Sequence, residues 1–86
     1  MIAVKRGTIR ETVLRIMYSC DEDQRKEYSI VIVDRSVASG VREISFSKIL
    51  RVDSRYIYIK GLTEIISIPI HRVIEIRYRG RTIWTR

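Results

Sequence analysis

The sequence predicts an α+β fold: one N-terminal helix packed on a curved, mostly antiparallel sheet or partly open barrel of about six short strands. A capping motif opens a single amphipathic run near the N-terminus. Every later apolar run either alternates with the two-residue period of a strand or is too short for a helix. Turn residues punctuate those runs at short intervals. Eighty-six residues suffice for one modest core, so residues 1–86 are read as a single domain.

The elements follow in order. Ala3 to Gly7 is too short to assign beyond an arm or brief strand. Thr8 and Glu11 have capping-box spacing, and Ile9, Val13, Ile16 and Met17 then recur on one helical face. Glu11 and Arg15 stand four apart on the other side, acid before base. "SCDEDQRKE" is polar and acidic and reads as an exposed loop. "YSIVIVDR" (28–35) is apolar on both faces in its middle, as a central strand is. "SVASG" is a turn cluster and "VREISF" a weaker alternating strand. "ILRVD" and "YIYIK" flank Ser54–Arg55 as a hairpin without the usual Asn-Gly or Asp-Gly signal, and Gly61 closes the pair. "TEIISI" runs into Pro69, which has no N–H for a ladder and so ends the strand. "RVIEIRYR" alternates, with Ile74, Ile76 and Tyr78 on one face and Glu75, Arg77 and Arg79 on the other. Gly80 turns the chain into "RTIWTR", the last strand. No internal repeat, linker or low-complexity tract is visible.

Composition narrows the function. Apolar residues make up 45% and charged residues 31% of the chain, which suits a globular protein and not a disordered one. Apolar runs are too short to span a membrane, and no apolar segment of signal-peptide type follows the start. One cysteine excludes an internal disulfide, and with one histidine a zinc cage is excluded too, so a reduced, cytoplasmic protein is expected with no metal and no cofactor. The net charge is +7, and arginine supplies most of the cations. Its planar fork matches phosphate and carboxylate geometry, which favours a polyanionic partner. A second source of arginine stands beside it: sixteen isoleucines, three leucines and no asparagine resemble the bias of heat-adapted proteins.

Catalysis finds little support. There is no Gly-rich phosphate loop, no paired-carboxylate motif and no second histidine for acid–base chemistry. Cys20 lies in an acidic stretch that raises a thiol's pKa, which argues against a thiol nucleophile paired with His71. Arg77, Arg79 and Arg81 look like an exposed basic stripe, which is either a solvated face or a secondary basic surface for phosphates. Tyr56 and Tyr58 flank inward-facing Ile57 and are placed either to stack bases or simply to fill a strand.

"RIMY", "VDR", "IPIHRVIEIRYRG" and "IWTR" occur in the order and approximate spacing of a small archaeal and eukaryotic family, the RNA cyclic group end recognition domain. The resemblance covers nearly the whole chain, from Thr8 to Arg86. Its most specific part is Pro69-x-His71-Arg72, followed by the alternating strand, Gly80 and a Trp84-x-Arg86 ending. The resemblance implies binding of RNA ends that carry a 2′,3′-cyclic or related phosphate. Matching positions bring over Arg15, Asp34, Arg35, His71, Arg72, Trp84 and Arg86. Two acids usual in the family are replaced, at Tyr18-Ser19 and at Thr85, so any role needing those carboxylates does not transfer.

The chemistry of these residues fits that implication. A terminal phosphate is a small, multidentate anion that arginine forks and a histidine donor can hold. Asp34 is a candidate acceptor for the other ring N–H of His71, and Trp84 is either a stacking partner for the terminal base or a core anchor. The leading expectation is therefore a non-catalytic RNA-binding module, with an RNA-processing enzyme as a candidate partner. An accessory phosphodiesterase using His71, and a basic subunit that docks an acidic protein, are the alternatives.

Overall fold

The computed structural model describes residues 8–86; the arm expected at residues 3–7 lies outside them. Helix α1 spans Ile9–Ser19 and opens with the expected capping box. The Glu11 N–H donates to Thr8 Oγ1 at 3.1 Å and the Thr8 N–H to Glu11 Oε1 at 2.7 Å. These bonds satisfy two donors that a bare helix end leaves orphaned. Val13 and Ile16 are fully buried, with Ile9 and Met17 against the same core. The acidic stretch expected as a loop folds one further helical turn, α2 (Glu22–Arg25). It has its own capping box from Asp21 and Gln24, and Arg25 ties it back to the Met17 and Cys20 carbonyls.

Seven strands follow: β1 (Tyr28–Val33), β2 (Val41–Ser45), β3 (Ile49–Val52), β4 (Tyr56–Lys60), β5 (Ile65–Pro69), β6 (Val73–Tyr78) and β7 (Arg81–Thr85). They form two antiparallel sheets, ordered β2-β1-β6-β7 and β3-β4-β5, in place of the single sheet or partly open barrel expected. Ile30, Ile32, Ile44, Val73, Ile76 and Trp84 of the first sheet share a core with Ile49, Ile57, Ile59 and Ile68 of the second, and Phe46, Val13 and Ile16 join them.

Two short 3-10 turns, Phe46–Lys48 and Ile70–Arg72, carry the chain from one sheet to the other. Pro69 is the last residue of β5, opposite Tyr56, and the next ladder donor is the Ile70 N–H, bonded to the Arg55 carbonyl at 2.8 Å. The proline thus ends a strand where the chain changes sheets, and His71 and Arg72 stand on that corner.

The fold contains the repeat that the sequence hides. β1, β2, the first 3-10 turn and β3 form one unit; β4, β5, the second 3-10 turn and β6 form another. In each, a hairpin is followed by a corner and a third strand that pairs with the first strand of the other unit. Ile30 opposite Ile44 matches Ile57 opposite Ile68. Val73 opposite Ile32 matches Ile49 opposite Ile59, and each third strand then skips one residue, Ile74 or Leu50, as a β-bulge. The likeness lies chiefly in buried isoleucine and valine positions, which a β-rich sequence repeats anyway, so it does not stand out along the chain. The bulge also breaks the alternation expected in β6: Val73 and Ile76 point into the core, and Ile74 is only partly buried.

Candidate functional site

The loop after β1 is built by Asp34. Its N–H donates to the Gly40 carbonyl at 2.9 Å, and its Oδ1 accepts from the Ser36 N–H at 2.9 Å and the Ser36 hydroxyl at 2.6 Å. This is the local side-chain-to-backbone turn that an aspartate two residues before a serine favours. Gly40 closes the loop at φ +78°, which glycine adopts without penalty. The Ser36 hydrogen bonds hold the Asp34 carboxyl below the ordinary carboxylate range, against a partial desolvation and with help from the Arg42 and Arg72 charges. Arg42 Nε stands 3.6 Å from Asp34 Oδ2.

This loop faces the corner after β5. Val33, Asp34, Arg35, Ser36, His71 and Arg72 line one open cleft of about 640 Å³. Four of the residues expected to form a site are therefore brought together from segments far apart in sequence. Arg35, His71 and Arg72 are exposed, and their side chains make no hydrogen bond or close ion pair among the described residues. Asp34 does not orient His71: its carboxylate is engaged by Ser36 and Arg42, and no bond joins it to the imidazole. The arrangement offers two guanidinium forks and one ring donor to a small anion, beside a carboxylate that holds the loop.

The other expected residues are elsewhere. Trp84 is 6% exposed, opposite Ile76 in the core. It anchors the sheet and has no face free for a base. Arg86 braces the corner instead of lining the cleft: its Nε donates to the Val73 carbonyl at 3.1 Å and its N–H to the Ile74 carbonyl at 3.0 Å, immediately after Arg72. Arg15 is exposed on α1, four residues from Glu11, and does not line the cleft.

The basic stripe is not continuous. Arg77 donates to Glu75 at 3.2 Å and Glu43 at 3.3 Å, and Thr82 also donates to Glu75, at 2.7 Å. Ser29 completes this polar row by donating to Glu43. Arg79 sits at φ +51° in the two-residue turn with Gly80 and is bound to Glu27 at 3.0 Å, and Arg81 alone of the three is exposed without such a partner. Tyr58 donates to Asp53 at 2.7 Å and lies under the Arg51 guanidinium, 4.3 Å from its ring centroid, whereas neighbouring Tyr56 is partly exposed.

Ser36 and Arg42 belong to the site's framework and were not singled out from sequence. The Asp-x-Ser spacing at 34–36 was the available signal. Among the described residues no group of histidine, cysteine and acidic side chains is placed to hold a metal, and no helix is long and apolar enough to cross a membrane.

The family described as MJ1316 RNA cyclic group end recognition domain matches residues 6–86. A UPF0248 protein of Metallosphaera sedula is 44% identical over 79 residues, covering 92% of each chain. One from Saccharolobus solfataricus is 38% identical over 80 residues, covering 91% of this chain and 95% of its own. No solved structure matches significantly.

Proposed function

The chain belongs to the MJ1316 RNA cyclic group end recognition domain family, and on that premise we propose that it is a non-catalytic module that binds RNA ends bearing a 2′,3′-cyclic or related terminal phosphate. The observation that carries the reading is the convergence of Arg35, His71 and Arg72 on one cleft with their donors free. A terminal phosphate presents several oxygens in a small volume, and two forks plus an imidazole supply donors from several directions. A 2′,3′-cyclic phosphate has the same two free oxygens as an internal phosphodiester, so the discrimination lies in access. An internal linkage carries a nucleotide on both sides and cannot enter a corner end-on, whereas a cyclic end can. A lone imidazole has no acid–base partner here, since the nearby carboxylate is already engaged, which favours binding over turnover.

The test is a titration with three RNAs identical except for a 3′-cyclic phosphate, a 3′-phosphate or a 3′-hydroxyl. One charge-assisted hydrogen bond contributes about 1.5–3 kcal/mol, so the cyclic end should be preferred by roughly tenfold or more over the hydroxyl. His71→Ala and Arg72→Ala should each remove most of that preference, and Arg72→Lys should restore part of it, keeping charge without the fork. Equal affinity for all three ends would reduce the cleft to general basic surface. Metal-independent cleavage of the cyclic end, lost in His71→Ala, would replace binding with catalysis.

A further inference from the structure

The two units of the fold place a second cleft where the first has its counterpart. Exchange of the units carries the end of β1 onto the end of β4, and the corner after β5 onto the corner after β2. Val33, Asp34, Arg35 and Ser36 then correspond to Lys60, Gly61, Leu62 and Thr63. His71 and Arg72 correspond to Ser47 and Lys48. All six of these counterparts line one open cleft. The turn closures correspond as well: the Asp34 N–H bonds to the Gly40 carbonyl at 2.9 Å and the Gly61 N–H to the Glu64 carbonyl at 2.8 Å.

The chemistry of this cleft has diverged from forks to point charges. Lys48 and Lys60 are exposed, and neither ammonium meets a carboxylate among the described residues. Arg42 adds a third cation. Of the two acids present, Glu43 is already engaged by Ser29 and Arg77, and Glu64 lines the cleft with the two lysines. Arg42 also joins the clefts physically, because it lines the second while its Nε stands 3.6 Å from Asp34 in the wall of the first. The second cleft therefore adjoins the first through Arg42, close enough for one strand to reach both.

We propose that this second cleft is an auxiliary RNA site, in which Lys48 and Lys60 hold internal phosphodiesters of the strand whose end occupies the Arg35–His71–Arg72 cleft. The inference rests on the RNA-binding reading above. Two lysines with flexible stems hold a phosphodiester without demanding its orientation, which suits the interior of a strand as the forks of the first cleft suit its end.

The test uses octanucleotides with a cyclic-phosphate or a hydroxyl 3′ end, titrated at several salt concentrations. On a single strand the log–log salt slope falls by about 0.7 for each phosphate that the protein no longer neutralises. The Lys48→Gln/Lys60→Gln variant should therefore have a slope shallower by about 1.4, so that a fourfold rise in salt weakens its binding about sevenfold less than it weakens the wild type. The change should be the same for both ends and leave their affinity ratio unaltered. Lys48→Arg/Lys60→Arg should retain the wild-type slope, and Glu64→Gln should tighten binding. An unchanged slope in the glutamine variant, or a weakening confined to the cyclic end, would overturn the proposal. Equal wild-type affinity for the two ends would count against end recognition alone, leaving the lysine comparison to decide the second cleft. An absence of wild-type binding to either octanucleotide would overturn both.

Discussion

Substitution of Trp84 separates a core role from RNA contact. The side chain is 6% exposed in the sheet that bears the cleft. A tryptophan buries about 150–250 Å², which at about 25 cal/mol per Å² corresponds to an upper bound of about 4–6 kcal/mol. Trp→Ala substitutions in cores cost about 3–5 kcal/mol once the cavity is included. A chain of 86 residues has about 4–13 kcal/mol of stability in all. Trp84→Ala should therefore remove a large share of the folding free energy, whereas Trp84→Phe, which keeps most of the volume, should cost about 1–2 kcal/mol and lower the melting temperature by about 5–15 °C. Below its melting transition the Phe variant should bind all three RNA ends as the wild type does. Thermal denaturation by circular dichroism and titration of the same samples measure both quantities. A Phe variant that melts with the wild type but binds tenfold more weakly would refute the core assignment and make Trp84 a base contact.

Arg77→Gln and Arg79→Gln should leave the salt dependence of RNA binding near the wild-type slope, because both guanidinium groups are held by carboxylates; a slope shallower by about 1.4 in the double variant would show that they contact phosphate. Arg86→Met should cost about 1 kcal/mol by leaving the Val73 carbonyl without its donor and should loosen the adjoining corner, seen as faster amide exchange along 72–74 and a smaller end preference. Asp53 is held down to about 2 by hydrogen bonds from Tyr58, Arg55 and Tyr56, below its ordinary 3.8. Because the folded value is the lower one, its contribution to stability is present above 3.8 and lost as pH falls from there through about 2. Urea midpoints measured from pH 5 to pH 2 should thus fall more for the wild type than for Asp53→Asn. Gly80→Ala places a side chain at φ +81° and should destabilise by about 1 kcal/mol, measured by the urea midpoint; an unshifted midpoint would show that the turn relaxes.

Local chemistry made some elements readable in the sequence. Thr8 and Glu11 announce α1 because capping needs only four consecutive residues. Gly80 announces the last hairpin because positive φ is a demand one residue can meet. The hairpin at Ser54–Arg55 lacked a glycine signal because Asp53 shapes the turn from the preceding position, accepting the Arg55 and Tyr56 N–H groups at 2.8 and 2.7 Å. What stayed hidden depends on pairing between distant segments. The bulge at Ile74 inverts the inward face of β6 ahead of Ile76, and nothing in a run of alternating residues marks where its partner strand stops matching. The division into two sheets, and the repeat it rests on, are properties of partner choice and not of any one strand. Asp34, Arg35, His71 and Arg72 were recoverable through family resemblance. Their meeting in one cleft required the fold.

The fold sorts the arginines into side chains engaged within the protein and side chains that are not. Arg25 and Arg86 donate to main-chain carbonyls at element ends, and Arg10 donates to the Asp53 carbonyl at the β3–β4 turn. Arg77 holds Glu75 of its own strand and Glu43 of β2, Arg79 holds Glu27 just before β1, and Arg51 covers Tyr58. These side chains are engaged within the protein, in the manner of surface networks that gain value with temperature. Arg35 and Arg72 have no such partner and share a cleft with the chain's single histidine. A net charge of +7 on its own argues only for attraction to polyanions. Free donors exchange water for phosphate without first breaking an internal bond, and among the free arginines, which include Arg15, Arg55 and Arg81, Arg35 and Arg72 are the two that share a cleft. Arg35 from the loop after β1 and Arg72 from the corner after Pro69 meet there beside His71.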